Sequence, residues 1–252
     1  MSIETYGTGE RLRAAAAELL PKAVGRHLVL LPVPTTRDGI RVTNTEIPLS
    51  ETLSGVGEGS IVVGYGMPDS YVADVAARGA LLLELSRDEQ FLSDNAYITA
   101  VGALGYILTE DFRIPADAVY GIVGYGRIGS RLLRLLLFLG ARAVVYTTRP
   151  TTQLELCECG IRSVCISDSR DGAFDFSGVD ILINTAPRDM SKSFPTGRVP
   201  EGMRVIELAS GDNFRGVLGV EPLPSLPGKM YPVSAGRAYA AATLNFMNRT
   251  LQ

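Results

Sequence analysis

Short apolar runs alternate with longer mixed segments along most of the chain. His27-Leu28-Val29-Leu30-Leu31 stops at Pro32-Val33-Pro34, and Ser60 to Val63 and Ala80 to Leu85 are similar runs, all of strand length. Helical spacing is read for Gly9 to Leu20 and for Asp69 to Arg78, the latter entered through Pro68. From Asp94 a carboxylate-headed helix, DNAYITAVGALGYILTE, is apolar on most faces and stops before Pro115. The alternation then resumes: strand Val119 to Val123, helix Arg127 to Leu139, and strands at Ala143 to Tyr146, Arg162 to Cys165, Ile181 to Asn184 and Arg204 to Leu208. A last helix is expected over Ser234 to Leu251.

Strands of four or five residues separated by helices call for parallel pairing through right-handed crossovers. The fold expected is α/β, two doubly wound parallel-sheet domains, the second a Rossmann dinucleotide-binding domain. The 252 residues suit two modest cores better than one large one. The expected division is an N-terminal flavodoxin-like substrate domain over 1–92 and a Rossmann domain over 93–252, with a linking helix at 94–109 and a returning C-terminal helix at 234–251.

VGYG occurs twice, at Val63-Gly64-Tyr65-Gly66 and Val123-Gly124-Tyr125-Gly126. The second copy continues through Arg127-Ile128-Gly129 to complete GxGxxG between a strand and a helix. Gly124 permits the tight turn, Gly126 lets the backbone approach a pyrophosphate, Gly129 lets the helix sit close on the strand, and the helix N-terminus attracts phosphate. The first copy continues Met67-Pro68-Asp69, which sets a carboxylate where a phosphate would go. It reads as a cleft-lining turn or an ordinary strand-to-helix turn.

An acid to hold the ribose hydroxyls of NAD is expected about 20 residues after the fingerprint. That position holds Thr147-Thr148-Arg149 instead. Two hydroxyls and a guanidinium suit a 2′-phosphate, so NADP is preferred and NAD is the alternative. Thr185-Ala186-Pro187 and Ala209-Ser210 follow strands and are expected to border the nicotinamide half.

The formal charge of −3 and the absence of a basic cluster argue against nucleic acid or a membrane surface as partner. The N-terminus resembles no signal or transit peptide, and a cytoplasmic protein is expected. Cys157, Cys159 and Cys165 lack paired zinc spacing, so no metal is expected. The single histidine, His27, opens a strand and reads as structural.

Several segments together resemble the A subunit of bacterial dipicolinate synthase. They are Leu31-Pro32-Val33-Pro34-Thr35-Thr36-Arg37-Asp38-Gly39, Asn95 to Ala103, Val123 to Gly129, Ile183 to Pro187, Leu208-Ala209-Ser210, Leu226-Pro227-Gly228 and Pro232 to Gly236. The resemblance, from about residue 28 onward, implies a relative of D-2-hydroxyacid dehydrogenases. It implies oxidation of a dihydropyridine-type dicarboxylate from lysine biosynthesis to the aromatic dicarboxylate stored in endospores, with a flavoprotein-like second subunit. The sequence departs from that pattern in three places. Val101 stands where an acid is expected, Gly211-Asp212 where Arg-Pro is expected, and the family's first β/α unit is read as missing or reduced to the helix at Gly9 to Leu20. A cyclic dicarboxylate needs donors; Arg188, Lys229 and Arg237 are the candidate cations, with Asn95 and Thr99 as polar supports. A homo-oligomer is expected. A non-catalytic NADP-binding subunit that docks a partner, and a dehydrogenase of another small carboxylate, are the alternative readings.

Overall fold

The structure, a computed structural model, describes residues 2–22, 25–111, 113–166 and 173–250. Its first elements are β1 (Ser2–Thr5), α1 (Glu10–Leu19), β2 (His27–Leu30), β3 (Ile61–Gly64), α2 (Asp69–Ala77), β4 (Leu81–Glu84) and α3 (Glu89–Glu110). There follow β5 (Val119–Val123), α4 (Arg127–Phe138), β6 (Arg142–Thr147), α5 (Pro150–Glu158), β7 (Arg162–Cys165) and β8 (Ile181–Asn184). The chain ends with β9 (Arg204–Glu207), β10 (Val220–Pro222), α6 (Leu226–Met230) and α7 (Pro232–Arg249). Leu251, the expected end of the last helix, lies outside the described residues. The chain divides into two compact units: Met1–Ile98 together with Pro227–Gln252, and Thr99–Leu226.

The first unit carries a four-stranded parallel sheet in the order β1-β2-β3-β4. Side chains alternate across it, as strand geometry requires. Leu28, Leu30, Ile61 and Val63 pack with Leu12, Ala15 and Leu19 of α1 and with Tyr239 and Ala240 of α7. Val29, Leu31 and Val62 pack on the other face with Leu49 and Leu53 of a short 3-10 turn and with Tyr71 and Val75 of α2. The strands step steadily one way across the sheet, yet α1 connects on one face while the 3-10 turn and α2 connect on the other. Connections stepping the same way on opposite faces have opposite hands. Uniformly right-handed crossovers, expected from the sequence, therefore do not hold in this unit.

Two expectations about this unit are corrected. The unit opens with a strand that the sequence reading does not give, β1, whose Ser2 to Thr5 stand in register beside His27 to Leu30. Ser-Ile-Glu-Thr carries one apolar residue, too weak a pattern to read as a strand. The C-terminal helix, assigned from sequence to the Rossmann domain, belongs here. Small residues allow it: a Cβ at Gly236 would lie 2.5 Å from Ala14 Cβ and 2.8 Å from the Arg11 carbonyl oxygen. The fully buried Tyr239 hydroxyl stands 3.0 Å from the Leu31 carbonyl and 2.9 Å from that of Val63, joining α7 to the sheet.

The linking helix begins at Glu89, one turn before Asp94. Asp88 accepts from the Phe91 N–H at 2.8 Å, so it caps the start that the sequence pattern gives to Asp94. Phe91 enters the core of the first unit, whereas Ala100, Ala103 and Ile107 enter that of the second.

The second unit is a six-stranded parallel sheet in the order β10-β9-β8-β5-β6-β7. Chain direction across it reverses between β5 and β8, the place where an open α/β sheet holds its ligand. Gly129, Leu132, Leu133 and Leu136 of α4 recur at i, i+3, i+4 and i+7, and all four are buried. The three leucines pack with Ile122, Val145 and Ile183 of the sheet. The other face is rich in aromatics, with Phe174, Phe176, Phe194 and Phe214 around Tyr146 and Leu182. At roughly 1.5–3 kcal/mol per buried large apolar side chain, these two layers are the main force holding the strand ends in place. Among the described residues no helix is long and apolar enough to cross a membrane.

Candidate dinucleotide site

The site is built at the carboxyl end of β5. Gly124 follows the strand with φ of +91° and donates its N–H to the Tyr146 carbonyl at 2.8 Å. The left-handed conformation is one a side chain strains to adopt. A Cβ at Gly129 would stand 2.2 Å from the Gly124 carbonyl oxygen, so only glycine lets α4 lie this close to the strand end. A Cβ at Gly126 would meet nothing within 4 Å. Gly126 also provides no side-chain cap for α4, which begins at Arg127 and Ile128. Open space beside an N-terminus without a side-chain cap is what a pyrophosphate needs, and the residues present fit a dinucleotide.

A pocket of about 240 Å³ lies against this turn. Gly124, Tyr125 and Gly126 line one side, and Thr147, Thr148 and Arg149 line the rim after β6. Thr185, Ala186, Pro187 and Arg188 complete it from the end of β8, with Tyr146 and Phe174 behind. The Arg149 guanidinium donates to the Tyr125 carbonyl at 3.1 Å, so the fork is held over the fingerprint loop. Thr147 Oγ1 accepts from the Arg149 N–H at 3.1 Å and fixes that turn. Arg188 sits over the Phe174 ring at 5.8 Å, and Phe174 meets Tyr146 edge to face at 5.4 Å.

Ala209 and Ser210 do not line this pocket. They follow a carboxylate that the sequence pattern does not single out. Glu207, at the end of β9, accepts from the Ala209 N–H at 2.7 Å, from Asn184 Nδ2 at 3.1 Å and from Asn213 Nδ2 at 3.2 Å. Asn184 in turn binds Ala186 both ways, its Oδ1 accepting from the Ala186 N–H and its Nδ2 donating to the Ala186 carbonyl. One buried acid thus sets the loops after β8 and β9 together. Burial raises its pKa above the ordinary carboxylate value, against the three donors that lower it. Aspartates and glutamates are rarely this enclosed unless paired, but nothing in the linear pattern marks which one is.

The candidate substrate residues are scattered. Lys229 is exposed, and Arg237 is exposed and paired with Glu18 at 3.0 Å. Arg188 lines the pocket beside the fingerprint turn. Thr99 is buried on α3, and Asn95 accepts from Arg11, a residue that the sequence pattern does not select. His27 is held at the start of β2, 3.4 Å from Ser60 Oγ and 3.3 Å from Glu4. The three cysteines are free thiols, and among the described residues no cluster of metal-ligating side chains occurs.

The fold and this turn together define the class: a two-unit α/β protein whose second unit is a Rossmann-type parallel sheet with a glycine-rich turn at its point of reversal. Dipicolinate synthase, whose A subunit the sequence motifs resemble, shares that fold. The structure of this subunit from Bacillus halodurans superposes with a TM-score of 0.76 at 22% identity, covering 97% of each chain. That from Bacillus subtilis gives 0.76 at 18% identity, over 99% of this chain and 97% of the other. D-lactate dehydrogenase from Escherichia coli superposes at 0.56 with 11% identity, over 99% of this chain and 97% of that one. No protein-family model matches the sequence, and no curated protein does.

Proposed function

We propose that this protein is an NADP-linked oxidoreductase of the dipicolinate synthase type, which oxidises a cyclic dihydropyridine-type dicarboxylate by hydride transfer. The observation that carries the reading is the fingerprint turn, where the open space at Gly126 and the close seat of Gly129 suit the approach of a pyrophosphate. When bound, the oxidised nicotinamide accepts a hydride. The α4 N-terminus would hold the phosphates, Arg149 and Thr148 the 2′-phosphate, and the loop Thr185-Ala186-Pro187, fixed through Asn184 and Glu207, would orient the ring end. The substrate loses a hydride and one proton, and aromatisation supplies the driving force. His27 is tied to Ser60 and is not needed as a base in such a reaction.

NAD remains the alternative cofactor, because the rim offers hydroxyls to either ribose. Titration by NADPH and NADH fluorescence distinguishes them without interference, as the chain has no tryptophan. Tighter NADPH binding is expected; tighter NADH binding overturns the assignment of Arg149. A second reading is a non-catalytic NADP-binding subunit that docks a flavoprotein-like partner. It is favoured by the absence of any acid or histidine among the side chains lining the pocket. Turnover of the cyclic dicarboxylate without the partner excludes this second reading, and cofactor binding with no turnover on any cyclic dicarboxylate excludes the first. The same reading places the protein in the cytoplasm as a homo-oligomer, testable by light scattering.

A further inference from the structure

Arg11 is 8% exposed, and among the described residues no other arginine is so enclosed. Its Nη2 donates to Asn95 Oδ1 at 3.3 Å, while Nε and Nη1 are buried and have no hydrogen-bond partner. The half-buried Arg204, by contrast, is met by the carboxylate of Glu221 at 2.7 Å. Arg11 has a neutral amide as its side-chain partner instead. A buried cation without a counter-charge is a strongly unfavourable arrangement unless an anion completes it.

The placement adds to the argument. Arg11 stands in the first turn of α1, where the helix dipole is already positive, and the preceding Gly9 offers no side-chain cap. Gly228 lies alongside, at a position where a Cβ would be 3.6 Å from Nε. Burial lowers the guanidinium to about 10, which still leaves it charged at neutral pH. A cation in that turn works against α1; the same cation and the same dipole work together on an anion.

We propose that Arg11, oriented by Asn95, binds a carboxylate of the protein's small-molecule ligand. A ligand carboxylate met by the fork would give the two unpartnered donors the acceptor they lack. The identity of the ligand rests on the oxidoreductase reading above, but the binding can be measured without cofactor or turnover.

The test uses the full chain and calorimetric titration with pyridine-2,6-dicarboxylate, its neutral diamide and inorganic phosphate. The wild type is expected to bind the dicarboxylate and to ignore the diamide and phosphate. Arg11→Met is expected to weaken the dicarboxylate at least 30-fold, with Arg11→Lys recovering part of the loss and NADPH binding unchanged in both. Ligand-free Arg11→Met is expected to melt at or above the wild-type temperature, since it removes an uncompensated buried charge. A wild type that does not bind the dicarboxylate, equal binding of phosphate, or undiminished binding by Arg11→Met overturns the proposal. So does a ligand-free Arg11→Met that melts well below the wild type, because that marks a structural role. The two readings fail separately: loss of the dicarboxylate result with normal cofactor binding tells against Arg11, whereas absence of turnover on any cyclic dicarboxylate tells against the oxidoreductase reading.

Discussion

The two VGYG turns use the same tetrapeptide, after a strand and before a helix, and differ in where their N–H groups go. At the first, Gly66 and Met67 donate to the Glu84 carboxylate at 2.8 and 3.0 Å, so an acid from the end of β4 fills the turn. Gly64 and Glu84 are register partners. Glu84 therefore stands on the neighbouring strand where a Rossmann domain keeps its ribose-binding acid. At the second turn the register pairs Val123 with Tyr146, and the strand ends in Thr147 with no acid to fold back. One turn has its anion built in, and at the other no side chain caps the helix that follows. The tetrapeptide sets the backbone shape; a residue on the adjacent strand decides its use.

The largest effect is expected at Gly129. Gly129→Val drives a side chain into the Gly124 carbonyl and Thr185 Oγ1, at 2.2 and 3.0 Å, and should weaken NADPH by more than 100-fold, about 3 kcal/mol. Fluorescence titration checks it, and near-normal affinity would break the assignment of the second turn. Glu84→Ala strips the acceptor from Gly66, Met67 and Ser86 and should destabilise by about 2 kcal/mol, lowering Tm by roughly 4–8 °C. It should gain no affinity for pyrophosphate, because Asp69 still opens α2; a gain would mean that the first turn is a blocked nucleotide site. Arg149→Asp should weaken NADPH by about 1.5 kcal/mol, roughly tenfold, and leave NADH little changed.

The smallest effect concerns pH. Burial raises the Glu207 pKa, so the folded chain takes up this proton before the unfolded chain does. Wild-type stability relative to Glu207→Gln should therefore rise as pH falls through the folded pKa toward the ordinary 4.5, by less than about 1 kcal/mol. Urea melts of both proteins at several pH values measure it. A relative loss over that window would show that the three donors outweigh burial.

Much of this is legible in the sequence because the second unit obeys local rules. The runs at Val119 to Val123 and Ile181 to Asn184 are strands with those bounds, since each is a short, largely apolar run closed by turn residues, and Arg162 to Cys165 alternates exposed and half-buried positions as an edge strand does. The fingerprint glycines are legible because each answers a steric demand set by its immediate neighbours. What stays hidden depends on distant partners. Nothing near Glu84 or Glu207 announces that its carboxylate takes backbone N–H groups from another loop. Nothing in the alanine-rich run around Arg11 marks it as buried, because its side-chain partner Asn95 lies 84 residues away. Strand β1 escapes the pattern because its partner, not its own residues, makes it a strand. Adjacency along the chain assigns α7 to the Rossmann sheet, whereas Gly236 fits it to α1.

The first unit is made from both ends of the chain, and that fixes an order of assembly. Residues 99–226 form one continuous stretch whose core calls on nothing that follows it. The first unit, by contrast, needs Tyr239 to reach the Leu31 carbonyl, 208 residues away in sequence. During synthesis the inner segment can be complete while the outer one still exposes the face of β2 and β3 that α7 will cover. A chain cut short before residue 232 therefore carries the whole inner segment but lacks α7, and leaves the apolar face of β2 and β3 that Tyr239 and Ala240 cover without its lid.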